Sequence, residues 1–444
     1  MAFVKNTAIF LISGMFALGC GIQKSPNNST ALSNIEKFAQ DTLFKTAQVG
    51  FILLDEKSGE VVERLNEDKY LVPASNTKLF TTYGALKYLK DSLAGFFYRE
   101  TPDTLYIKPS GDPTFLNSDF KDQKMFDKLV STNKVLVIEK VVSRALGVYG
   151  SGWSWANLEL ASYPERTVMP IYGNMVRFRV RDSKVVVSPS YFQDSLRVAH
   201  DIVGKKVRVV KNADKNTFVA STANTAVLAR AFTIRYNPSL PYHLLQDTLK
   251  SLNKNLVIIE PQKRDRNFWR PFNTHKTADV VRPMMHDSNN FLAEQLLSMV
   301  GGAINGFPND ALAIANLKKN GLNVMSEPFH WADGSGLSRS NQVTPRGVAE
   351  LLVQMKKEFG WERVADVLQK GNQGTVKGYY QGYENNIYSK TGTLGSNVLS
   401  LSGYLITKKG NNYVFSMIVN NHYKNANLVR KSFETYLKNI IDTQ

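Results

Sequence analysis

Residues 71–80 read LVPASNTKLF, from Leu71 to Phe80, and place Ser75 and Lys78 three apart. Leu79, Phe80, Tyr83, Leu86 and Leu89 follow at the spacing of one helix face. Positions i and i+3 share a face, so a helix starting near Ser75 puts the Lys78 amine within reach of the serine hydroxyl. A serine hydroxyl is a poor nucleophile unless a base takes its proton and donors stabilise the oxyanion. A lysine acts as that base only when neutral, which requires burial or neighbouring cations. On its own the four-residue pattern is common by chance, and a helix N-cap followed by a surface lysine explains it better.

Two further motifs change that balance. Ser288-Asn289-Asn290 forms S-x-N in "MMHDSNNFLAEQLL", at the mouth of an expected helix. Lys390-Thr391-Gly392 forms K-T-G in "IYSKTGTLGS", at the end of an expected strand. The order S-x-x-K, S-x-N, K-T-G is the three-part set of penicillin-binding proteins and serine β-lactamases.

With these motifs the chain resembles the low-molecular-mass class C penicillin-binding proteins, the S13-like D-alanyl-D-alanine carboxypeptidase/endopeptidases. The contexts "PASNTKLFTTYGAL", "SGDPTF" (110–115), "GSGWSWANL" (150–158) and "DGSGLSRSNQVTP" (333–345) are similar to theirs, as is the long insertion between Lys78 and Ser288. The resemblance implies that Ser75 accepts the acyl group and that Lys78 is the acylation base. It implies that Ser288 relays a proton to the leaving amine, that Asn290 holds the substrate amide, and that Lys390 shapes the local potential. Thr391 and Thr393, with Gly392 between them, would receive the terminal carboxylate. The backbone N–H groups of Ser75 and Thr393 would form the oxyanion hole. No cofactor is implied.

The fold expected from the resemblance is α/β (α+β): a transpeptidase-like domain whose five-stranded antiparallel sheet carries helices on both faces. Two segments, 32–101 and 262–444, would build it. Residues 102–261 switch to short β-rich runs such as "KVLVIEKVV" and "NMVRFRVRDSKVVVS", read as an inserted region of one or two modules. "VGFILLDEKSGEVVERL" reads as a hairpin turning near Lys57-Ser58-Gly59.

At 444 residues the chain exceeds the usual prior of roughly 100–200 residues for one domain. Lys and Arg number 55 against 38 Asp and Glu, a formal charge of +17 that favours anionic partners. No zinc-finger spacing or dense Arg/Lys helix points to nucleic acid. His275, His286 and His330 are scattered without metal-binding spacing, so no metal is expected. Trp153 and Trp155 read as inter-domain packing, and Gly334 and Gly336 as loop-shaping residues.

The first residues, "MAFVKNTAIFLISGMFALGC", join Lys5 to a short apolar run that ends at Cys20, the single cysteine. Residues 1–20 resemble a bacterial lipoprotein signal, with Cys20 the lipidated residue and 21–31 a flexible tether. A single cysteine leaves no internal disulfide. The expectation is therefore a serine DD-peptidase of the cell envelope, periplasmic and lipid-anchored. It would act on peptidoglycan stem peptides and be acylated by β-lactam antibiotics. The rival readings are a serine β-lactamase and a catalytically idle wall-binding lipoprotein.

Overall fold

The run QVGFILLD is apolar without interruption because it forms a strand covered on both faces. β1 (Gln48–Asp55) buries six consecutive residues. Ile52 and Leu54 enter one core, and Val49, Phe51 and Leu53 enter another. In a one-sided strand these alternate positions would split into apolar and polar sets. The computed structural model describes residues 33–143, 146–158, 160–181, 184–199, 209–212, 215–221, 230–262 and 268–444. Cys20 and the expected tether lie outside them.

Helix α1 (Asn34–Ala39) opens with a capping box between Ser33 and Glu36. β1 then turns into β2 (Val61–Leu65), and the two pair antiparallel as the hairpin pattern predicts. A 3₁₀ turn, Ala74–Thr77, leads directly into α2 (Lys78–Tyr88). Every residue of α2 from Lys78 to Leu86 is buried, so the helix runs through the core rather than along the surface.

The chain then leaves through β3 (Ser92–Glu100), β4 (Thr104–Pro109), α3 (Lys124–Ser131) and β5 (Val135–Glu139). It continues through β6 (Met175–Arg181), β7 (Lys184–Ser188), β8 (Leu196–Ala199), β9 (Val209–Lys211), β10 (Phe218–Ser221) and β11 (Arg230–Thr233). α4 (Leu240–Lys250), β12 (Leu256–Ile259) and β13 (Arg270–Lys276) bring it back. Three sheets result, ordered β12-β5-β4-β3-β13, β11-β6-β7 and β8-β10-β9. β4 and β5 are parallel because α3 supplies the crossover that a parallel pair requires. β3 and β13 lie outside the expected 102–261 insertion, yet both pair within its largest sheet.

The return segment supplies α5 (Thr277–His286), α6 (Asn290–Asn305), α7 (Asp310–Asn320), α8 (Pro345–Phe359) and α9 (Trp361–Val367). β14 (Gln369–Lys370), β15 (Ile387–Leu394), β16 (Val398–Ile406) and β17 (Asn412–Asn420) follow, and α10 (Ala426–Thr443) closes the chain. The main sheet runs β14-β15-β16-β17-β1-β2 and every pairing in it is antiparallel. β14 adds a two-residue strand to the five expected. Residues of α2, α5, α6, α7 and α8 share one core, while α1 and α10 pack into the core on the other face.

Candidate active site

Ser75 sits in the 3₁₀ turn at the head of α2, and neither Pro73 nor Thr77 makes a side-chain cap there. The hydroxyl of Ser75 instead accepts a hydrogen bond from Lys78 Nζ at 3.0 Å. Neighbours hold the turn from several sides. Asn76 Nδ2 donates to the Lys390 carbonyl at 2.8 Å, and Ser400 Oγ donates to the Pro73 carbonyl at 2.7 Å. Two glycines permit the close approach. A Cβ on Gly392 would lie 2.2 Å from Ser400 Oγ and 3.0 Å from the Ser75 nitrogen. One on Gly336, whose φ is +85°, would lie 1.9 Å from the Ala74 carbonyl oxygen.

Lys78 is completely buried. Its amine donates to Ser75 Oγ, to Asn290 Oδ1 at 2.7 Å and to the Ser335 carbonyl at 2.7 Å. Burial lowers its pKa to about 7, against the opposing pull of the Asp333 and Glu294 charges. The second amine, Lys390, is also completely buried. It donates to Ser288 Oγ at 3.0 Å and to the Thr391 carbonyl at 2.7 Å. Burial, reinforced by the charge of Lys78, holds this amine well below the usual lysine range.

Ser288 lies at the joint between α5 and α6 in the left-handed region, with φ 54°. Asn289 caps α6 by accepting from the Leu292 N–H at 3.1 Å. Asn290 is therefore the first helical residue, and its Nδ2 donates across to the Ser162 carbonyl of the insertion at 2.8 Å. The S-x-N motif thus touches both the main domain and the inserted region.

The K-T-G strand is half open. β14 pairs only with Tyr388 and Ser389 of β15, so from Lys390 onward the strand has β16 on one side alone among the described residues. Such an edge presents backbone donors and acceptors to an extended peptide. Thr391 Oγ1 contacts Thr375 Oγ1. The exposed Thr393 accepts at Oγ1 from Arg430 Nη2 at 3.1 Å.

Behind Lys78 lies a buried ionic cluster. Glu294 Oε1 accepts from the Ser335 N–H at 2.8 Å, and the Ser335 carbonyl faces Lys78. Arg166 of the insertion reaches Glu294 at 3.4 Å and also pairs with Asp310. Burial first, and the Asp333 charge second, raise the Glu294 pKa to about 7; Arg166 opposes the rise. Asp333 accepts from the N–H groups of Gly336 and Ser338, at 2.8 and 2.7 Å, and so folds the loop that meets Ser75. It also accepts from Trp153 Nε1 at 2.9 Å.

Ser75, Lys78, Ser288, Asn290 and Lys390 are therefore brought into one cluster, with Thr391, Gly392 and Thr393 along its edge strand. Trp153 does join the insertion to the main domain, but Trp155 is 88% exposed and packs nothing away. His275 packs edge-on against Phe120, and His330 forms a backbone bridge with Gln342. His286 is the last residue of α5, two before Ser288, and lies near enough for the Lys390 charge to act on it. Sequence reasoning did not single out Arg430, Ser162, Ser335, Glu294 or Arg166. Ser162 and Ser335 act through backbone carbonyls, which any residue carries. Arg430 lies in an ordinary amphipathic helix. Asp333 and Ser335 did fall within the quoted stretch 333–345.

A serine on a helical turn, two buried amines and an open edge strand define a serine peptidase of the penicillin-binding class. The D-Ala-D-Ala carboxypeptidase 3 (S13) family matches residues 31–440, and the chain belongs to that family. It is 22% identical over 445 residues to a D-alanyl-D-alanine carboxypeptidase of Actinomadura sp. (strain R39), covering 88% of this chain and 80% of that protein. It is 23% identical over 430 residues to the D-alanyl-D-alanine carboxypeptidase DacB of Haemophilus influenzae, covering 85% and 86%. The crystal structure of penicillin binding protein 4 (dacB) from Haemophilus influenzae superposes with a TM-score of 0.70 at 20% identity, covering 92% of this chain and 98% of that one. That likeness extends the shared fold over nearly the whole chain.

Proposed function

We propose that Ser75 is the nucleophile of a DD-peptidase acting on peptidoglycan stem peptides at the cell envelope, and that β-lactams acylate the same hydroxyl. The observation that carries this is the 3.0 Å contact between Ser75 Oγ and a fully buried Lys78 amine whose pKa is lowered to about 7. At neutral pH a large share of Lys78 is unprotonated and can accept the serine proton. The Ser75 Oγ–carbon bond forms as the D-Ala carbonyl carbon is attacked. The carbon–nitrogen bond then breaks, and the proton reaches the leaving amine through Ser288, which Lys390 positions. Water attacks the ester, and Ser75 regains its proton. The Ser75 and Thr393 N–H groups serve as oxyanion donors. Thr391 and Thr393 hold the terminal carboxylate, and the Arg430 guanidinium beside Thr393 adds a charge-assisted donor.

Incubation with a fluorescent penicillin, read by intact mass and peptide mapping, tests the assignment. A stable one-to-one adduct at Ser75 is expected, and Ser75→Ala loses both the adduct and peptidase activity while melting within about 2 °C of wild type. An adduct on another serine overturns the assignment, and rapid turnover without adduct replaces it with a β-lactamase.

The anchor is a separate proposal, motivated by the signal-like run that ends at Cys20. Lipidation there would hold the enzyme at a membrane facing the wall. One acyl chain binds only marginally, so stable anchoring needs several chains or help from the +17 charge. Wild type is expected in the membrane fraction and Cys20→Ser in the soluble fraction. Equal partitioning, with no acyl mass on the wild type, leaves Cys20 without that role.

A further inference from the structure

Beyond the serine and its base, a groove of about 330 Å³ opens where the insertion meets the main domain. Ser288 and Asn290 line it on one side; Asn117, Asp119, Ser162 and Arg177 line it from the insertion. Neither Ser75 nor Lys78 lines it, while the S-x-N residues Ser288, Asn289 and Asn290 all do. We propose that this groove binds the leaving strand of a cross-linked stem peptide, with the Arg177 guanidinium holding a carboxylate of that strand. The inference rests on the DD-peptidase reading, in which Ser288 hands its proton to the departing amine.

Position is the first argument. A single D-Ala departs as one residue and ends at the hydroxyls of the K-T-G-T strand. A cross-linked strand continues beyond its amine, and this groove is open space lined by Ser288 but not by Ser75. Charge is the second. The Arg177 side chain is only 22% exposed, and its ion-pair partner, Asp119, is 4.0 Å away and 59% exposed. It also donates a hydrogen bond to the Tyr172 carbonyl at 2.7 Å. A guanidinium has five donors, and among the described residues these two partners engage only part of them while the side chain lines the groove. Burial makes the charge costly, and an arriving carboxylate would offset that cost better than the distant Asp119 does.

The acidic residues refine the ligand. Asp119 and Asp287 are both exposed and line the groove as well. One guanidinium and two carboxylates along the same groove disfavour a simple polyanion. They suit a strand carrying both charges, as a peptide containing a diamino acid does. The amine released from a cross-link is one end of such a residue.

The experiment compares kcat/KM of the purified enzyme on a cross-linked muropeptide dimer and on an uncross-linked pentapeptide monomer. Arg177→Ala should lower the dimer value about tenfold, the loss of one charge-assisted hydrogen-bonded contact. Monomer hydrolysis and penicillin acylation should stay within about twofold, and Arg177→Lys should recover part of the dimer activity. Asp119→Trp changes an exposed side chain and should block the groove with the same selectivity, which keeps the test sound if Arg177→Ala folds poorly. The inference is overturned if dimer and monomer activity fall together in the Trp variant. It is also overturned if neither variant changes the dimer value, or if wild type cleaves monomer but not dimer. Loss of the underlying DD-peptidase reading looks different: wild type then shows neither penicillin acylation at Ser75 nor monomer hydrolysis.

Discussion

Lys78 shows how one residue becomes chemically useful. Its amine meets two neutral oxygens and the serine hydroxyl, and among the described residues no carboxylate is within salt-bridge distance. Asp333 and Glu294 act from further away and only partly offset the burial that lowers its pKa. A direct carboxylate partner would have locked the amine in its charged form and ended its use as a base. Acylation by penicillin should therefore rise with pH through about 7 and level off above it, because the unprotonated amine is the active form. Rapid-mixing kinetics between pH 5 and 9 would show this; a flat profile would remove Lys78 from that role. Lys78→Arg should cost roughly 10²–10⁴-fold in acylation rate, since a guanidinium stays charged.

At the scale of elements, the site is a meeting of three pieces of backbone. The turn before α2 is pressed between β15 and the loop at residues 333–338, and glycine is required at both contacts. Gly336→Ala adds a Cβ 1.9 Å from the Ala74 carbonyl oxygen at a φ of +85°. A cost of about 2–5 kcal/mol is expected, with reduced penicillin labelling because the displaced segment carries Ser75. Thermal unfolding alongside labelling checks it, and an unchanged protein would mean the loop yields freely. These contacts also explain what could be read beforehand. S-x-x-K, S-x-N and K-T-G are local strings, and β1 announces itself as an unbroken apolar run. β14 is too short for any periodicity to register. The placement of β3 and β13 depends on a pairing between residues far apart in the chain, such as Tyr98 with Arg270. β8, β9 and β10 repeat the lesson, since strands of three or four residues carry only weak alternation. Arg430 meets Thr393 only through tertiary packing, so its own neighbours in sequence carry no trace of it.

For the whole molecule, the insertion is part of the site's support. Ser162 holds Asn290, Trp153 holds Asp333, and Arg166 joins Glu294 to Asp310. The Arg166 side chain is 3% exposed, so its loss would leave two acidic groups buried without their cation. Arg166→Met should destabilise the protein by about 3–5 kcal/mol, less whatever Glu294 recovers by taking up a proton. Penicillin acylation should slow as well, because Glu294 positions Ser335 and the Ser335 carbonyl faces Lys78. Chemical denaturation and labelling rates measure the two effects. A variant as stable and as reactive as wild type would show the cluster to be dispensable.

The strands that carry the chain out of the main domain and back, β3 and β13, are partners, with Ser92 opposite Lys276. At the outer ends of the two strands, one residue before β3 and one after β13, the Thr277 N–H donates to the Asp91 carbonyl at 2.9 Å, so the two crossings lie side by side. The covalent connections of the lobe therefore run through a single seam, beside the side-chain contacts made by Ser162, Trp153 and Arg166. Exchange of the lobe at that seam would leave every strand of the main sheet in its place. Selection could then change which wall fragments the enzyme accepts by remodelling the lobe, while the catalytic serine stayed on an unaltered frame.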